Sequence, residues 1–104
     1  MKAITVEITR LIDESAVPTL VECLLVDAQN QVHRFIEKDS VVSSTPISVD
    51  KFPVPGVLAC EVESEWVDPA GRSLVRASTA KPCGIESTTG GSNFVVLAAQ
   101  LQDI

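Results

Sequence analysis

Val, Ile and Thr make up 29 of the 104 residues. Branching at Cβ restricts χ1 and suits a pleated, half-buried surface, so such a chain is biased toward strands before any motif is considered. The alternation agrees. Ile4, Val6 and Ile8 share one face and Thr5, Glu7 and Thr9 the other, while Leu58, Cys60, Val62 and Trp66 alternate with Glu61, Glu63 and Glu65. Residues 20–26 and 94–101 are apolar on both faces, as interior strands are. No run of ten or more residues has helical periodicity. Residues 95–102 fit either a strand or a short helix, and the strand is preferred.

Turn chemistry divides these runs. Asp68-Pro69-Ala70-Gly71 carries Asp first, Pro with φ already set, and Gly for a positive φ. It predicts a hairpin between residues 58–67 and 72–79. A three-residue loop would set Arg76 beside Ser64. A four-residue loop would pair Glu63 with Arg76 and Val62 with Ala77, and is preferred because charge then meets charge. Val21-Glu22 and Val26-Asp27-Ala28-Gln29-Asn30 repeat this phrase 41 residues earlier, with Asn30 in the left-handed position given to Gly71. The similarity reads as two turns meeting one chemical demand, with a vestigial repeat as the alternative. A second hairpin then joins residues 20–26 to 32–37.

Between the hairpins, residues 39–56 form a long connection. Val41 to Thr45 is expected to extend a strand, and Phe52-Pro53-Val54-Pro55-Gly56 to run extended into a type II turn at Pro55-Gly56. Residues 52–55 are expected to pack over the open end of the barrel, with presentation as an extended ligand as the alternative. The other irregular stretch runs from Lys81 to Asn93. These readings predict one all-β domain over residues 1–104, five or six antiparallel strands in a meander closed as a small SH3-like or OB-like barrel. A compact β-sandwich is the alternative.

The formal charge of −6 and the scattering of the eight Lys and Arg argue against nucleic acid, which needs a cationic track. No stretch approaches the ~20 apolar residues of a membrane span, and Met1 to Glu7 reads as neither signal nor transit peptide. Three widely spaced cysteines fit free thiols in a reducing compartment, so a cytoplasmic location is expected.

Chemistry-bearing residues are few. Cys23, His33, Cys60 and Cys83 are the right types for a zinc site, but they lack the close pairs of a structural one, so no metal and no cofactor are expected. Cys23 and Cys60 belong with small buried hydrophobes, Cys83 should be exposed, and His33 should be lightly packed or solvated in its hairpin. Glu61, Glu63 and Glu65 would line one strand face as an acidic docking strip, or serve as a hydrated face that discourages aggregation. Trp66 alternates with core residues; exposed instead, it would anchor a partner. The loop holding Glu86, Ser87, Thr88 and Gly90-Gly91 lacks a Walker pattern but could cradle an anion on its amides, with Trp66 and Arg72 as neighbours.

The leading expectation is a non-enzymatic interaction or regulatory module: a small acidic β-domain that binds a protein partner, a basic one in the inhibitor or immunity-type version. Its candidate binding residues are Glu61, Glu63, Glu65, Trp66, Arg72, Glu86, Ser87 and Thr88. One alternative is a small enzyme or ligand-binding domain built on the loop from Lys81 to Asn93, with Cys83, Glu86, Ser87 and Thr88 as candidates and Cys83 as nucleophile in the enzyme version. Another is an assembly role through homo-oligomerisation, a dimer being the simplest case.

Overall fold

The computed structural model describes residues 1–13, 15, 19–43 and 51–104. They form an antiparallel all-β sheet of β1 (Lys2–Asp13), β2 (Leu20–Val26), β3 (Val32–Lys38), β4 (Val54–Val67), β5 (Ser73–Ser78), β6 (Asn93–Leu97) and β7 (Leu101–Asp103), with one short helix, α1 (Asp39–Val42). The spatial order is β3-β2-β1-β4-β5-β6, and β7 pairs with the start of β1. Two three-stranded meanders are thus joined through the central pair of β1 with β4, and the sheet curls into a half-barrel.

The inner face follows the alternation of the sequence. Ile4 and Ile8 from β1, Val21, Cys23 and Leu25 from β2, Phe35 from β3, and Leu58 from β4 are fully buried in one cluster with Val75, Ala77, Phe94 and Val96. No ladder joins β3 to β6 among the described residues. Those two edges are drawn together by side chains and single hydrogen bonds. The Phe94 ring meets His33 at 4.8 Å and Phe35 at 5.6 Å between centroids, both edge-on. The Thr88 N–H donates to the Arg34 carbonyl, and the Ala28 N–H donates to that of Val95.

The connection between the meanders differs from expectation. Val41 and Val42 are helical, with Ser43 N–H bonded back to Asp39 O. Burying Val42 in the core outweighs the strand preference of valine; Ser44 and Thr45 lie outside the described residues. Pro55 and Gly56 are not a turn but rungs of β4, opposite Glu7 and Val6 of β1. Among the described residues this half of β4 has a strand on one side only, where a missing proline N–H is tolerated. Phe52 packs against the core as expected. Residues 94–101 are not one strand: β6 ends at Leu97, a 3₁₀ turn (Ala98–Gln100) follows, and the chain returns along β1 as β7. The Gln100 side chain fixes that turn, its Oε1 accepting from Leu97 N–H and its Nε2 donating to Val26 O. Among the described residues no helix is long and apolar enough to cross a membrane.

One polar group ties the first meander on its outer face. Glu22 accepts from Thr9 Oγ1 at 2.7 Å, from Arg10 at 3.1 Å and from Arg34 Nε, so three strands meet on one carboxylate. Arg10, then Arg34 and Thr9, hold its pKa at about 2, below the ordinary 4.5. A carboxylate depressed by folding contributes stability above its unfolded pKa and loses it as pH falls toward the folded value. Stability should therefore decline between pH 4.5 and about 2. Glu22→Gln should flatten that acid limb and lower stability at neutral pH by roughly 1 kcal/mol, because both arginines are partly exposed and solvent screens the pairs. Urea titrations of both proteins across this range check it; parallel acid limbs would refute it.

Candidate functional site

The two hairpin turns share one construction. In each, the Asp N–H donates to the carbonyl four residues on (Gln31 or Arg72), and the Asp carbonyl accepts from the residue at positive φ (Asn30 at 62° or Gly71 at 84°). Asp27 Oδ1 then accepts from Gln31 N–H, and Asp68 Oδ1 from Arg72 N–H. The second carboxylate oxygen takes a side-chain nitrogen, His33 Nε2 in the first turn and Arg72 Nε in the second, both at 2.8 Å. Burial pushes the Asp27 pKa up, but hydrogen bonds from His33, Gln31 and Gln29 outweigh it and the net shift is downward. Hydrogen bonds from Arg72 lower that of Asp68.

His33 is therefore lightly packed rather than solvated in its hairpin. It closes a turn, partly buried between Asp27 and the Phe94 ring. Arg72 has the equivalent task and adds a bond from Nη1 to Ala28 O at 2.8 Å, which clasps one turn to the other. Its guanidinium, expected to contact a ligand, is engaged within the fold. The spatial order relates β2 and β3 to β5 and β6 about the central pair, whereas the repeated phrase matches β2–β3 to β4–β5. That mismatch favours shared turn chemistry over a vestigial repeat.

The β4–β5 hairpin uses both registers weighed from the sequence. Near the turn Val67 faces Ser73 and Ser64 faces Arg76, as in the three-residue loop; beyond it Val62 faces Ala77, as in the four-residue loop. A bulge at Glu63 reconciles them, so the expected pairing of Glu63 with Arg76 does not form. Residues directly opposite each other share a face, and an inserted residue reverses the alternation. Glu65, opposite Val75, thus shares the face of Val62 and Ala77, while Glu61, opposite Ser78, lies on the other with Trp66, opposite Leu74. The three glutamates are all exposed but do not form a strip on one face.

The same reversal takes Trp66 out of line with Cys60 and Val62. It is 40% exposed beside Val67 at 66%. A groove of about 420 Å³ runs here, lined by Trp66, Val67, Leu74, Val75 and Ala98 with Glu65 and Ser73. Val26 and Val32, 46% and 60% exposed, flank the other clasped turn. Four exposed large hydrophobics therefore border the two joined turns at one end of the sheet.

The loop from Lys81 to Asn93 leaves the opposite end of β5, so Trp66 and Arg72 are not its neighbours. It is closed on itself. The amides of Gly84, Ile85, Ser87, Thr88, Gly90 and Gly91 all donate to protein acceptors, so none of these six is free to cradle an anion. Ser87, expected at a binding site, is buried, with its Oγ on Gly91 N–H at 3.0 Å and against Thr89 Oγ1. Buried Thr79 donates to Ile85 O, and Ile85 plugs the core. Glu86 and the Thr88 side chain stay exposed.

All three cysteines are free: Cys83 is exposed, while burial pushes the thiols of Cys23 (to about 12) and Cys60 upward. Among the described residues no three His, Cys, Asp or Glu side chains converge as metal ligands. Comparisons with protein-family models, curated proteins and solved structures return no significant match.

Proposed function

We propose that this chain is a non-enzymatic protein-interaction module that docks a protein partner with the end formed by its two clasped turns. The observation that carries the reading is the exposure of Val26, Val32, Trp66 and Val67 around the two clasped turns, with Trp66 and Val67 lining a groove. Large aromatics in such positions anchor interfaces, because they remove much apolar surface from water at little entropic cost. The clasp makes that end rigid before a partner arrives, which lowers the ordering cost of binding. Glu65 in the groove, with Glu63 and Glu61 farther along β4, favours a basic partner, the inhibitor or immunity-type version of this function. Three free thiols fit a cytoplasmic setting.

Trp66→Ala should weaken association by at least about tenfold, the loss of a hot-spot side chain. The thermal midpoint should move little, because Trp66 lies outside the core cluster. The check is a photo-crosslinker at Val67, with a second at exposed Glu86 on the distant loop as control, in cells of the chain's own host. Capture of one protein at Val67 alone, lost with Trp66→Ala, is the expected result. No capture at Val67, or capture unaffected by Trp66→Ala, would refute the reading.

A further inference from the structure

The second half of β4 has an open edge. Residues 54–60 pair with β1, residues 61–67 pair with β5 on the other side, and beyond Cys60 no described strand lies on the β1 side. Asp68 N–H donates toward β5, to Arg72 O. Backbone groups alternate along an antiparallel strand, so Trp66 and Ser64 also turn toward β5. Glu65 and Val67 then aim their N–H and C=O groups at the open side, and both residues are exposed. A row of free donors and acceptors beside an exposed tryptophan is a template for another strand.

Charge selects the occupant. A second copy adding antiparallel along this edge would bring glutamates against glutamates, and the bulge at Glu63 disturbs a flat self-pairing. An extended segment carrying Lys or Arg at alternate positions sets its cations against Glu65 on one face of this edge or against Glu61 on the other. We propose that residues 61–67 form a strand-addition site for an extended basic segment of a protein partner. The proposal rests on the docking-end reading and specifies how that end takes its partner.

The test uses the full chain and a short peptide alternating Lys and Val. Controls are its Glu-Val counterpart and a Lys-Val peptide N-methylated at alternate residues, which keeps the charge but cannot complete the ladder. Hydrogen exchange should slow at the amides of Glu65 and Val67 with the Lys-Val peptide alone. Affinity should fall at least about tenfold with N-methylation, with high salt, and with the E61Q/E63Q/E65Q variant. Binding indifferent to N-methylation, without protection at Glu65 and Val67, would overturn strand addition. Equal binding of the Glu-Val peptide would overturn the basic occupant, and concentration-dependent protection of the same amides without peptide would identify a second copy instead. Absence of any peptide binding would also overturn the inference. Crosslinking at Val67 judges the docking-end reading separately, so failure of strand addition is distinguishable from failure of that reading.

Discussion

Phe94→Ala is expected to cost about 3–5 kcal/mol, a large share of the stability of any domain this size. Phe94 is buried on β6, and its ring edges meet His33 and Phe35 on β3, the opposite end of the sheet. No ladder closes that seam among the described residues, so the ring contacts and a few single hydrogen bonds hold the half-barrel curled. Truncation leaves a cavity where the sheet is least able to collapse around it, because the two edges belong to different meanders. Urea unfolding should show a lower midpoint, and hydrogen exchange should accelerate first at the Thr88 and Ala28 amides that cross the seam. A loss below about 1 kcal/mol, well short of the usual core-aromatic truncation, would mean that Phe94 does not hold the edges together.

Gly56→Ala is the second large effect, and its sign runs against the general rule. Alanine for glycine in a strand ordinarily stabilises by roughly 0.5–1 kcal/mol, because it restricts the unfolded chain. Here the new Cβ would stand 2.7 Å from both Cγ1 and Cδ1 of Ile8 and 3.0 Å from the Val42 carbonyl. Ile8 is fully buried and α1 closes the other side, so the expected outcome is a loss of about 1–3 kcal/mol from overpacking. Ile8→Ala removes both crowded atoms. The double variant should therefore be less unstable than the sum of the two single losses, and chemical denaturation of all four proteins in the cycle measures that coupling. Additive losses would show that the clash is relieved by backbone movement instead.

Gly56 also shows where reading the sequence stops. Beside Pro55, a glycine is turn chemistry, and nothing within several residues says otherwise. Its actual role is to leave room for Ile8, 48 positions away, a demand that exists only once β1 and β4 are paired. The acidic strand is a parallel case. Strict alternation puts Glu61, Glu63 and Glu65 on one face, and a single inserted residue separates them. The bulge arises because the turn chemistry favours one register and the pairing of Val62 with Ala77 the other. Each preference was legible, but their reconciliation was not.

What the sequence determined by itself is local. Branched residues and alternation set the strands, and Asp27 and Asp68, with Asn30 and Gly71 at positive φ, set both turns and their hairpins through backbone contacts within four positions. Tertiary structure decided the rest: the return of β4 to β1, the helical Val41-Val42, the Phe94 seam, and the clasp from Arg72 to Ala28, 44 residues apart. It also decided what faces water at the candidate site, because the exposure of Trp66 depends on a bulge and on which side of β4 is left without a neighbour. Turn chemistry acts through neighbours in the chain, whereas register, seam and exposure are set by surfaces that meet only after the sheet has curled.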